Sequence, residues 1–157
     1  MYKTQNGADT FSFGQALGMC LKAGDTVLLY GDLGAGKSVL ARGVADALGV
    51  REEMASPTFT IMQPYEGAKE KVYHFDLYRL SGEDELYAAG LSDHIGGDGV
   101  ALIEWPQQAD VCPPVRVEVD LLRGEEFEER EIEIGLFGME ERESEIRTAI
   151  RKWEIDA

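Results

Sequence analysis

Residues 27–38 read Val27-Leu28-Leu29-Tyr30-Gly31-Asp32-Leu33-Gly34-Ala35-Gly36-Lys37-Ser38. The first four form a short, unbroken apolar run, the signature of a strand covered on both faces in a mostly parallel sheet. The next eight match GxxxxGK[ST]. After them Ala41, Val44, Ala45 and Leu48 recur at helical spacing, and Gly49 stands where a C-terminal cap belongs. Strand, glycine-rich turn and helix in that order are the context in which this motif cradles phosphate.

Each residue type in the turn has a chemical reason. Gly31, Gly34 and Gly36 let the backbone adopt positive φ and approach an anion with no Cβ in the way. Their amides turn inward and, together with the helix N-terminus, make a concave anion site. Lys37 supplies an ammonium for β- and γ-phosphates, and the Ser38 hydroxyl is a hard oxygen suited to Mg2+.

Such sites need a carboxylate at the end of a neighbouring buried strand. Asp76 ends Val72-Tyr73-His74-Phe75, and Glu104 ends Val100-Ala101-Leu102-Ile103. The second run is the more continuously apolar and suits a place beside the phosphate loop. The alternative for either acid alone is a carboxylate capping a local turn. Ser56-Pro57-Thr58-Phe59-Thr60 lies where nucleotide switches place a hydroxyl that senses the γ-phosphate; a Ser/Thr-rich turn is the plainer reading. His74 and His94 read as structural, and Trp105 as either core or an anchor for a partner. Guanine-specific switches carry Asn or Thr, then Lys, any residue and Asp. That tetrad is missing, which favours adenine, hence ATP.

Outside the motif, Phe13, Ala16, Leu17, Cys20 and Leu21 outline a helix capped by Asp9 or Thr10 and ending at Gly24. Residues 59–63 and 72–75 are expected to form an antiparallel hairpin. Ser81 with Glu83, Asp84 and Glu85 opens a helix that stops near Gly90. Val115 to Leu121 and Ile132 with Ile134 alternate as half-exposed strands. Met139, Ile146, Ile150 and Trp153 outline a last helix over 139–153.

The length of 157 residues suits one domain, 1–157. No apolar run reaches the roughly 20 residues of a membrane span, and the N-terminus has no signal pattern, so a cytoplasmic location is expected. Cys20 and Cys112 are expected to be buried, reduced thiols. A net charge of −15, with 14 of the 30 acids in residues 118–157 against 6 Lys and Arg, argues against unaided binding to nucleic acid. The fold class expected is α/β: a P-loop NTPase with a mostly parallel central sheet, an antiparallel hairpin, edge strands, and helices on both faces.

Four segments in order, GDLGAGKS, SPTFT with QPY, YHFDLYRL and LIEWPQ, resemble the bacterial ATPase family of tRNA threonylcarbamoyladenosine biosynthesis, TsaE. The likeness runs from about Thr10 to Ile134. It implies a weak ATPase that works with the TsaB and TsaD proteins, which attach threonylcarbamoyl to an adenosine of tRNA. Carried over by position, Leu33 to Ser38 bind phosphates, Ser38 and Glu104 hold magnesium, and Asp76 joins the hydrolytic site. Thr58 and Thr60 fall in the switch-like loop, and a contact near the base falls around Phe127 or Arg130. Where family members often carry Arg, Phe127 stands here; where they usually carry Thr, Ser38 does. Two other readings remain open. One is a small-molecule kinase, against which Arg79, Arg116 and Arg123 are too scattered for a lid. The other is a nucleotide-gated binding module without turnover.

Overall fold

The computed structural model describes residues 1–32, 34–54, 61–80, 82–88 and 90–155. Seven strands form one sheet: β1 Tyr2–Thr4, β2 Thr26–Tyr30, β3 Met62–Tyr65, β4 Lys71–Asp76, β5 Gly99–Glu104, β6 Arg116–Arg123 and β7 Arg130–Phe137. Their spatial order is β1-β7-β6-β2-β5-β4-β3. The four inner strands β6, β2, β5 and β4 are mutually parallel, while β7 and β3 run against them. This is the expected α/β arrangement, with an antiparallel hairpin of residues 62–65 and 71–76; its first strand is set later than the expected 59–63, of which 59 and 60 lie outside the described residues. The two strands join through residues 66–70, too few for a crossover helix.

The helices are α1 Gly7–Gly18, α2 Lys37–Ala47, α3 Glu83–Ala88 and α4 Glu143–Ala149. Alternation along the inner strands splits the apolar residues between two faces. Val27, Leu29, Val100 and Leu102 pack with Phe13, Leu17, Leu40 and Val44 of α1 and α2. Leu28, Ala101, Ile103 and Phe75 pack on the other side with Leu77, Leu80 and Leu86. Full burial of each large side chain contributes about 1.5–3 kcal/mol.

Several expectations are corrected. Helix α1 is capped by Asn6, whose side-chain oxygen accepts from Asp9 N at 2.8 Å, while Asp9 Oδ2 accepts from Gln5 N at 3.0 Å. This reciprocal capping places Asp9 and Thr10 inside the first turns. The helix stops at Gly18 and not at Gly24, because the chain tightens into Cys20 N to Leu17 O and Leu21 N to Gly18 O bonds. The last segment is a single turn of α-helix and more, α4, flanked by 3-10 turns at Glu140–Arg142 and Arg151–Trp153. Its Met139, Ile146, Ile150 and Trp153 are buried as their spacing requires. Cys112 is exposed and Cys20 only half-buried, since both lie in connections at the edge of the packed layers. Strand β1, which pairs with β7, was not evident in the sequence. Among the described residues no helix is long and apolar enough to cross a membrane.

Helices α1 and α2 touch backbone to backbone. A Cβ on Gly14 would run into the Leu40 carbonyl oxygen, and one on Gly43 into that of Phe11. Alanine at an ordinary helical position is favoured over glycine by about 1 kcal/mol. For Gly43→Ala the overlap dominates, so chemical denaturation is expected to show a net loss of about 1–3 kcal/mol. A stabilised variant would contradict this packing.

Candidate functional site

Strand β2 delivers the chain to the site at the C-terminal edge of the sheet. Leu29 of β2 lies opposite Glu104 of β5, and Glu104 opposite Asp76 of β4. The ends of three adjacent parallel strands therefore meet there, the usual place for a ligand in such sheets. The loop leaving β2 turns through Gly31 at φ 145° and Gly36 at φ 100°, the latter capping α2 without side-chain help. At Gly31 a Cβ would sit 2.8 Å from Leu121 O, so glycine is required by space as well as by conformation. Ala35 N closes a tight turn onto Asp32 O at 3.0 Å. Leu33, Thr58 and Thr60, with the rest of the Ser56 to Thr60 loop, lie outside the described residues.

Lys37 is 4% exposed, and its Nζ donates to Gly31 O at 2.6 Å while lying 3.6 Å from the centroid of the Trp105 ring. Burial pulls this ammonium below the ordinary lysine range, although Glu104, Asp76 and Asp32 oppose the shift. Trp105 holds a left-handed conformation, φ 60°, and takes the edge of Tyr78 at 5.0 Å. It is neither simply core nor a free anchor: it roofs the lysine.

Glu104 is 5% exposed. Ser38 Oγ stands 3.4 Å from both of its carboxylate oxygens, and His74 Nε2 is 2.7 Å from Oε2. Asp76 accepts from Tyr78 N at 3.1 Å. Ser38, Asp76 and Glu104 line a cavity of about 430 Å³, in the range of small-molecule sites, together with Lys37, Trp105 and Arg130. Phe127 is 88% exposed and stands at the cavity mouth, near Gly7 and Thr10 of α1. Arg130 does something the sequence did not suggest. Its Nε donates to Ala35 O at 2.9 Å and Nη2 to Gly34 O at 3.2 Å, clamping the glycine loop from the start of β7.

The donor set suits a polyphosphate. Turned glycine backbone, a helix start and a buried ammonium supply the positive side. Ser38, Glu104 and Asp76 supply hard oxygens on the facing wall. Magnesium takes one or two protein oxygens and is completed by ligand phosphates and water, and Ser38 and Glu104 are oxygens of that kind. Of the residues singled out from sequence, Gly34, Gly36, Lys37, Ser38, Asp76, Glu104, Phe127 and Arg130 line this cavity, while Gly31, Asp32 and Ala35 line a neighbouring one that shares Trp105 with it. His74, structural by its place in an apolar strand, bonds Glu104 from below, and alternation from Asp76 puts it on the same face of β4.

The family described as Threonylcarbamoyl adenosine biosynthesis protein TsaE matches residues 4–132. Among relatives, the tRNA threonylcarbamoyladenosine biosynthesis protein TsaE of Bacillus subtilis is 36% identical over 132 residues, 83% of this chain and 82% of that protein. The protein of the same description from Treponema pallidum is 36% identical over 119 residues, 75% of this chain and 87% of its own. The crystal structure of Bacillus subtilis YdiB superposes with a TM-score of 0.74 at 29% identity, covering 96% of this chain and 93% of that one. A match of this extent, in sequence and in fold, places the chain in the TsaE family, with a role in tRNA threonylcarbamoyladenosine biosynthesis.

Proposed function

We propose that the chain is a magnesium-dependent ATPase that serves tRNA threonylcarbamoylation by docking on a TsaB–TsaD complex and cycling it. The observation that carries this reading is the buried Lys37, held between a glycine-loop anion cradle and two strand-end carboxylates across one cavity. The loop amides and the start of α2 take the phosphates of ATP, and Lys37 exchanges its bond to Gly31 O for phosphate oxygen. Ser38 and Glu104 hold the magnesium ion, which offsets charge on the β- and γ-oxygens. Asp76, beside Glu104 in register, orients a water.

The charge supports a partner-dependent role. A chain of net charge −15 repels tRNA, so contact with the RNA falls to the partner proteins in the cytoplasm. Nucleotide binding completes the docking surface, and hydrolysis resets it.

With purified TsaB, TsaD and substrate tRNA, the partners are expected to stimulate ATP hydrolysis. Glu104→Gln is expected to keep ATP binding but to abolish repeated rounds of modification. Full multiple-turnover modification by that variant would contradict the ATPase reading, and phosphate appearing on a small molecule rather than on water would favour a kinase.

Lys37→Met separates binding from stability. Loss of a charge-assisted phosphate contact is expected to weaken ATP affinity about 10–100-fold. Because burial disfavours the ammonium, the folded state carries a penalty wherever lysine is charged in both states. The penalty acts below the ordinary lysine range and fades as pH rises into it, so the stability of the variant relative to the parent should fall over that rise, whatever the loss of the Gly31 O and Trp105 contacts costs. A relative stability that stays flat or climbs through that range would contradict the stated electrostatics.

A further inference from the structure

The least explained polar group near the site is His74. It is 2% exposed, in the middle of β4, opposite Leu102 and one alternation short of Asp76. Its Nε2 lies 2.7 Å from Glu104 Oε2, and its Nδ1 is buried with no hydrogen-bond partner among the described residues. A buried N–H without an acceptor is rarer and costlier than a lone acceptor nitrogen. The 2.7 Å contact is therefore an Nε2–H donating to Glu104 Oε2.

We propose that His74 is a positioning residue that aims the Glu104 carboxylate at the Ser38 hydroxyl, and so sets how well the site takes a divalent cation. This rests on the magnesium-ATP reading above. Glu104 ends a strand and its side chain has rotatable bonds that its own backbone does not fix. Two directions of restraint are present: Ser38 Oγ at 3.4 Å from both oxygens, and His74 at 2.7 Å from one. The short bond comes from inside the core, where His74 is walled in on a central strand, so it is the rigid one. Partners of this kind behind a metal-binding carboxylate change metal affinity or activity about 10–100-fold when removed. His74 touches neither nucleotide nor metal in this arrangement; it acts through Glu104.

Two variants test the assignment. His74→Phe keeps a planar ring without a donor, and His74→Gln can return an N–H to the Nε2 position. Calorimetric titration with ATP at graded Mg2+, and Mn2+ binding to the ADP-loaded protein followed by electron paramagnetic resonance, are the readouts. His74→Phe is expected to need about 10–100 times more cation for half-saturation. Its ATP affinity in EDTA should equal that of the parent, and His74→Gln should recover most of the cation affinity. Equal cation affinity in parent and His74→Phe would overturn the proposal, as would equal losses in both variants that follow melting temperature. Independently of nucleotide, side-chain 15N spectra of the free protein should show His74 protonated at Nε2. A bare Nε2 would overturn it, whereas failure of the parent to bind magnesium-ATP would sink the functional reading alone.

Discussion

The register of three parallel strands is the constraint on which the site depends. Leu29 opposite Glu104, and Glu104 opposite Asp76, bring the end of the glycine-loop strand and both carboxylates to one edge of the sheet. A slip of one residue in β5 would turn Glu104 to the far face and put Ile103 or Trp105 in its place. The register is secured by complete burial of β5 and by the two-sided apolar packing of β2. Core packing and site geometry are thus one fact seen at two positions of the same strands.

Around that edge, charge is arranged with economy. The lysine is placed where burial weakens its hold on a proton, and it is kept by a carbonyl and an indole face. Arg130 ties down the loop from β7 through two carbonyls. At the opposite end of the sheet a different pair secures the fold. Asp25, 2% exposed at its side chain, takes both guanidinium nitrogens of Arg142 at 2.7 Å and joins the segment before α4 to the turn before β2. The acidic C-terminal third therefore contributes cations where they bind, although its net sign is negative.

What could be read from sequence was what local pattern encodes. The strand before Gly31, the helix after Lys37, the buried strand ending at Glu104 and the hairpin strand ending at Asp76 all carry their evidence within a few residues. Strand β1 does not: three residues acquire strand geometry only through β7, distant in sequence. The start of α1 was missed because its apolar stripe begins at Phe13, a turn and a half beyond the Asn6 cap. Arg130 and Trp105 were ambiguous for the same reason, since the loop they act on is 95 residues away from one and nearly 70 from the other. His74 was legible in principle: counting back by two from Asp76 points it at the same face as both acids.

The central claim is that the turned backbone of Gly31 to Ser38, with Lys37, encloses the triphosphate of magnesium-ATP. Calorimetric titration of the folded chain with ATP, with and without Mg2+, measures this most directly. The account predicts saturable one-site binding that strengthens with the cation. No detectable heat at millimolar nucleotide in the presence of Mg2+ would contradict it.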